Sequence, residues 1–161
     1  MRTFEEKDVQ QIIGVYQRAF AEPPWNESWT DEAVTEDLQN ALRQNNPIIL
    51  VAEKDGKLVG FRWAYELPMD KFPFLNGQIE SEKTMYGDEL AVENEYRGMG
   101  IGSGMMKLSF ELAKKAGYDT FVGRTDANSK MVPVYKRLGY EEMDIRDPKY
   151  PNRFYFIKRL N

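Results

Sequence analysis

Four glycines fall within seven residues in Gly98-Met99-Gly100-Ile101-Gly102-Ser103-Gly104, with Arg97 directly before them. Thr84–Val92, just upstream, reads as a strand. Downstream, Ile101, Met105, Leu108 and Leu112 recur at i, i+4, i+7 and i+11, which predicts a helix to about Ala116 with Gly117 at its end. A strand, a glycine turn and a helix N-terminus make an anion site. The first N–H groups of a helix have no intrahelical partner and the helix dipole adds positive potential there. Glycines let that backbone approach phosphate oxygens without Cβ collisions. Arg97 can add a charge-assisted hydrogen bond.

Two common phosphate motifs do not fit this run. The P-loop pattern G-x-x-x-x-G-K-[ST] started at Gly98, Gly100 or Gly102 needs a second glycine where Ser103, Met105 or Lys107 stands. The dinucleotide pattern G-x-G-x-x-G needs glycine at Ser103 or Met105.

The remaining chain punctuates clearly. Met1–Phe4 predicts a short edge strand and Glu6–Phe20 a helix with Val9, Ile12, Ile13, Tyr16 and Phe20 on its inner face. Pro23 and Pro24 end it in a loop that carries Trp25, Glu27 and Trp29. Thr30 can cap the next helix, whose buried stripe would be Val34, Leu38, Ala41 and Leu42. Asp55-Gly56 between Ile48–Lys54 and Lys57–Glu66 predicts a hairpin. Residues 67–82 read as a long loop or hairpin excursion. Thr120–Thr125 predicts a strand, Ser129–Leu138 a helix closed by Gly139, and Tyr140–Ile145 and Arg153–Arg159 the last two strands. The order β α α β β β α β α β β, without repeats or linkers, predicts one mixed α/β domain over residues 1–161.

Composition narrows the chemistry. The 161 residues include no cysteine and no histidine, which removes disulfides, Cys/His zinc sites, a cysteine nucleophile and a Ser-His-Asp triad. A general base must then be Asp, Glu, Tyr, Lys, a terminal amine or a relayed water. The net charge of −4 and the lack of a basic stripe argue against a nucleic-acid partner. The uncharged apolar runs are too short to cross a bilayer, and the N-terminus lacks a signal-peptide pattern, so a cytoplasmic location without membrane attachment is expected.

Arg97, Gly100 and Gly102 form the pattern Arg-x-x-Gly-x-Gly, which resembles a signature of the GNAT superfamily of acyl-CoA-dependent N-acyltransferases. A second hallmark lies about thirty residues on: Asn128, then Tyr135 seven residues later, Gly139 eleven later and Tyr140 next. Met131 stands where the family usually has alanine, and Pro133 is unusual there. Proline fits if the helix starts near Met131, since a first turn tolerates it. The resemblance covers essentially the whole chain. It implies a central, mixed, mostly antiparallel, splayed sheet flanked by about four helices.

It also implies acetyl-CoA as cosubstrate, no metal, and a small-molecule or peptide amine as acceptor. A homodimer is common in the family, and monomer and dimer stay open. By resemblance, Arg97, Gly98, Met99, Gly100, Ile101, Gly102 and Ser103 hold the pyrophosphate. Leu90, Ala91 and Val92 pair with the pantetheine arm like an added strand. Asn128 contacts that arm or caps a helix. Tyr135 gives a proton to the departing thiolate, or is a core tyrosine. Asp88 and Glu89 are the candidate bases that take the amine proton. Strand alternation sends them to opposite faces unless a bulge intervenes, so both are carried. Trp25, Glu27, Trp29 and Tyr86 are candidate acceptor contacts, with Phe72 and Phe74 as further wall residues. The tryptophans alternatively pack as a small satellite core. A coenzyme A-binding sensor without activity is the alternative reading of the whole.

Overall fold

The computed structural model describes residues 1–161. Its elements are β1 (Arg2–Thr3), α1 (Val9–Phe20), α2 (Asp31–Leu42), β2 (Ile48–Lys54), β3 (Lys57–Glu66), β4 (Thr84–Val92), α3 (Ile101–Lys115), β5 (Thr120–Asp126), α4 (Met131–Arg137), β6 (Glu141–Arg146) and β7 (Arg153–Arg159). The strands form one open sheet in the order β1-β2-β3-β4-β5-β7-β6. All neighbours are antiparallel except β4 and β5, which run parallel.

Local chemistry accounts for most boundaries. Asp55 and Gly56 both take positive φ, the requirement of a tight two-residue hairpin between β2 and β3. The Thr30 hydroxyl accepts the Ala33 N–H at 3.2 Å and starts α2. Glu6–Asp8 forms a 3-10 turn ahead of α1 rather than its first turn. The Asp8 carboxylate there accepts the Glu5 N–H and a two-pronged contact from Arg2 at 2.8 Å. Pro73–Leu75 is the one helical turn within residues 67–82.

The sheet separates two cores. On one face α1 and α2 bury Ile12, Tyr16, Val34 and Leu38 against Phe61, Trp63, Tyr65 and Tyr86. On the other, α3 and α4 bury Met106, Phe110 and Tyr135 against Phe121 and Phe156. The inner stripe of α3 is Met105, Met106, Ser109, Phe110 and Ala113, so the predicted stripe is turned: Ile101, Leu108 and Leu112 are only half-buried. Leu42, expected inside, is exposed at the end of α2.

Two irregularities in β4 shape the candidate site. Its pairing with β5 runs from Thr84↔Thr120 to Gly87↔Gly123 and stops there. Beyond that rung β5 stays with β7 and β4 stays with β3, so the two strands part. The register with β3 also slips at the same place, from Ala64↔Gly87 to Trp63↔Glu89, leaving Asp88 as an extra, bulged residue.

Gly60 marks a tight approach of β3 to β4: a Cβ there would lie 2.8 Å from the Ala91 carbonyl oxygen and 3.1 Å from the Met105 side chain. Gly60→Ala is expected to destabilise the fold by about 1–3 kcal/mol through overpacking. Urea denaturation measures this, and an unchanged midpoint would contradict the close approach.

Candidate active site

The turn after β4 is built as an anion cradle. Gly98 and Gly100 take φ of 76° and 82°, which other residues adopt only with strain. Gly100 is the N-cap of α3. The first backbone bond of the helix runs from the Gly104 N–H to the Gly100 carbonyl at 2.8 Å, so the N–H groups ahead of it have no partner within the helix. Arg97 donates from Nε to the Val92 carbonyl at 2.8 Å and pairs with Glu22 beyond α1. It ties the end of β4 to the α1 loop. Gly102 sits against Leu90 and Val92, so the helix N-terminus abuts the parted segment of β4. Along Asp88–Val92 the backbone edge toward β5 has no strand partner. A peptide-like arm fits such an edge by strand addition.

At the last paired rung the two faces carry different chemistry. On the α3/α4 face the Tyr135 hydroxyl lies against Gly123, where a Cβ would be 2.5 Å away. Its ring stacks on Phe156 at 5.0 Å and meets Tyr140 at 4.6 Å. Burial pushes the phenol up to about 12, so it carries its proton at neutral pH; Arg62 and Arg124 pull it down and Glu89 pushes it up.

The α1/α2 face carries acids. The bulge overturns the simple alternation: Glu89 pairs with inward-facing Trp63, and Asp88 accepts the Tyr65 hydroxyl at 2.9 Å on the same side. Asp37 on α2 joins them, accepting the Tyr16 hydroxyl at 2.9 Å. Burial, then the charge of Asp37, pushes Asp88 up to about 6, against the pull of the Tyr65 bond, Arg124 and Lys71. Burial, then the charges of Asp88 and Asp37, holds Glu89 well above the usual carboxylate range. Burial also raises Asp37, although its bond from Tyr16 opposes the shift. These acids therefore favour a cation beside them. They do not form a cluster able to hold a metal ion.

The other predicted contacts divide. Glu27 accepts the Trp29 indole N–H at 2.8 Å, and its charge reaches Glu89. Trp29 packs edge-on against Tyr16 at 5.0 Å, as a satellite of the α1 core. Trp25 meets Phe20 at 6.1 Å and Arg153 lies 6.0 Å over its ring. Tyr86 is almost fully buried beneath Phe72, at 4.8 Å, so it supports the wall rather than lining it; Phe74 packs on Tyr155 at 5.5 Å. Asn128 does not cap α4. Its side chain is exposed and makes no hydrogen bond, while the Ser129 hydroxyl accepts the Met131 N–H at 3.1 Å. Met99 is exposed, and Ile101 and Ser103 are half-buried on the first turn of α3; Ala91 faces the α1 core. Asp37, Arg62 and Arg124 join this site from elements that carry no motif for it. The signal for Arg62 was present, as a lone charge inside the apolar strand Leu58–Tyr65.

The Acetyltransferase (GNAT) family model matches residues 13–140, most of the chain. The chain belongs to the GNAT acetyltransferase family. A mycothiol acetyltransferase of Thermobispora bispora is 30% identical over 149 residues, covering 87% of this chain and 45% of that protein. The chain thus spans about half the length of that relative. The ribosomal-protein-alanine N-acetyltransferase of Brucella melitensis shares the fold with a TM-score of 0.76 at 19% identity, over 99% of this chain and 98% of that one. The PaiA N-acetyltransferase of Thermoplasma acidophilum, solved with coenzyme A, has a TM-score of 0.72 at 17% identity, over 98% and 96% of the two chains. GNAT acetyltransferases use acetyl-CoA as cosubstrate, and the cradle and open edge suit it. No helix of this GNAT chain is long and apolar enough to cross a membrane.

The raised Asp88 gives a stability signature. Its folded-state value, about 6, exceeds that of the unfolded chain, so the native state binds this proton more tightly. The ionised group therefore costs stability at neutral pH, and the cost fades as pH falls through about 6. Asp88→Asn is expected to raise stability at neutral pH by about 1–2 kcal/mol and to flatten its pH dependence. Denaturation across the pH range checks this; a variant no more stable and equally pH-dependent would contradict it.

Proposed function

We propose that this chain is an N-acetyltransferase that moves the acetyl group of acetyl-CoA to a cationic primary amine, by direct transfer in a ternary complex. The observation that carries this reading is the rung Gly87↔Gly123. The Tyr135 proton stands at it on one face, and Asp88 and Glu89 follow it at once on the other. A thioester laid along the open edge of β4 would have an acid at its sulfur and bases on the acceptor side.

The residues divide the work as follows. Asp37, Asp88 and Glu89 attract the ammonium form of the amine, whose charge in turn favours their ionisation. Asp88 or Glu89 takes the ammonium proton, directly or through water, leaving a neutral nitrogen to attack the carbonyl carbon. Free backbone N–H groups of the parted β4 segment hold the resulting oxyanion. Tyr135 delivers its proton to the sulfur as the carbon–sulfur bond breaks, and its phenolate recovers a proton from solvent. With no cysteine in the chain, an acyl-cysteine route does not exist. The acid-lined acceptor side favours an amine with a second positive charge over one bearing a nearby carboxylate. Arg97, the glycines 98, 100 and 102, and the N–H groups up to Ser103 are the proposed pyrophosphate site.

Release of free thiol from acetyl-CoA in the presence of an amine panel tests the reading. Diamines are expected to react and free amino acids to react poorly. Tyr135→Phe is expected to lower kcat by about tenfold or more while coenzyme A binding stays near that of the parent. Of Asp88→Asn and Glu89→Gln, the variant lacking the base is expected to lose about a hundredfold or more. Tight acetyl-CoA binding with no thiol release from any amine would favour a sensor instead. Full turnover by Tyr135→Phe would remove it from the mechanism.

A further inference from the structure

Arg62 is a buried cation without a counter-ion. It stands on β3 opposite Leu90 and is 2% exposed. No carboxylate forms an ion pair with it. Its Nε donates to the Ser109 hydroxyl at 2.9 Å, and that hydroxyl donates on to the Met106 carbonyl at 2.7 Å. Its guanidinium carbon lies 5.5 Å over the Phe121 ring. Its Nη2 and the buried hydroxyl of Tyr140 make no hydrogen bond of standard geometry, but they face each other, and Arg62 draws the Tyr140 phenol down against the larger effect of burial. Removing a charge from water without a counter-charge is costly, and an apolar side chain of similar volume would serve the core at least as well.

The position of this charge suggests what offsets the cost. A Cβ at Gly87 would lie 2.7 Å from Arg62 Nη2, and one at Gly123 2.5 Å from the Tyr135 hydroxyl. Gly87 and Gly123 are partners in the last rung before β4 and β5 part. The guanidinium, which has no counter-ion, and the tyrosine proton therefore share one corner of the fork, both on the α3/α4 face.

We propose that Arg62 is a positioning residue for thiol departure, its guanidinium offsetting the negative charge that forms at this corner when the carbon–sulfur bond breaks. This rests on the acetyl-transfer reading above. The bond's electron pair goes to sulfur, and the Tyr135 proton follows it, so one negative charge passes from sulfur to the tyrosine oxygen. Arg62 faces the charge in either place. Glycine at position 87 leaves room for the guanidinium to reach the corner. The other groups that bear on Tyr135 are Glu89, which opposes its ionisation, and Arg124, which favours it. Tyr140 lies beside it, and Lys158 on β7 lies over the Phe110 ring. α3 contributes the uncharged Ser109.

The readout is the thiol pKa of coenzyme A bound to the protein, followed by the ultraviolet absorbance of the thiolate. Neutral Arg62→Met and Arg62→Gln are each expected to raise it by about one pH unit or more. Arg62→Lys, which keeps the charge, is expected to stay closer to the parent, and kcat should fall in the same order with KM for acetyl-CoA little changed. If the methionine variant does not fold, the Gln–Lys comparison decides. Equal thiol pKa values for the parent, Lys and neutral variants would overturn the proposal. That result, with kcat still lowered by Tyr135→Phe, would leave the acetyl-transfer reading standing. No thiol release from the parent with any amine would remove both.

Discussion

The parallel pairing of β4 with β5, and its end at Gly87↔Gly123, is the constraint on which the rest of the molecule depends. Parallel neighbours need a crossover, which α3 supplies, and a crossover brings a helix N-terminus to the end of β4. Once the strands part, β4 has an unpaired backbone edge directly beside that N-terminus. Anion cradle and strand-like edge thus come from one topological event. The glycines at the rung serve the same event, because each leaves space for a side chain that could not otherwise reach the corner: Arg62 at Gly87 and Tyr135 at Gly123.

The bulge at Asp88 converts this cleft into an asymmetric one. A regular β4 would send Asp88 and Glu89 to opposite sides, one of them into the α3/α4 core with Tyr135. One extra residue sends both toward α1 and α2, where Asp37 waits. Negative potential then collects on one side of the sheet. The other side holds the unpaired cation Arg62 and a phenol that keeps its proton. The phenol and the carboxylates, the proposed acid and bases, are separated by the thickness of one sheet, and burial raises the pKa values on both sides. An amine and a thioester approaching from opposite faces would each meet the group that their reaction needs.

Much of this was legible in the sequence, for physical reasons that differ by element. The strand and helix ranges were readable because periodicity and breakers agree locally, as at Asp55-Gly56 and Thr30. The glycine turn was readable because Gly98 and Gly100 announce positive φ, and the Asn128-to-Tyr135 spacing because it matches the family pattern. What could not be read depends on long-range register. No local pattern shows that Asp88 is the residue β3 skips. Asp37 looks like any solvated helix acid until α2 is docked over β3. Asn128 fits a capping position, but α4 has Lys130 at its N-cap with no side-chain cap, and the Ser129 hydroxyl accepts the Met131 N–H from the turn before it. Trp29 and Tyr86 are aromatic residues at a site, yet packing draws them into its walls.

In the proposed mechanism the thiol of coenzyme A sits at the Gly87/Gly123 corner. A crystal structure with coenzyme A bound tests it most directly. The pyrophosphate is expected on the N–H groups between Gly98 and Ser103, the pantetheine arm paired along Asp88–Val92, and the sulfur within hydrogen-bond reach of the Tyr135 hydroxyl. A sulfur lying away from Tyr135, or a pyrophosphate bound elsewhere than the turn before α3, would contradict it.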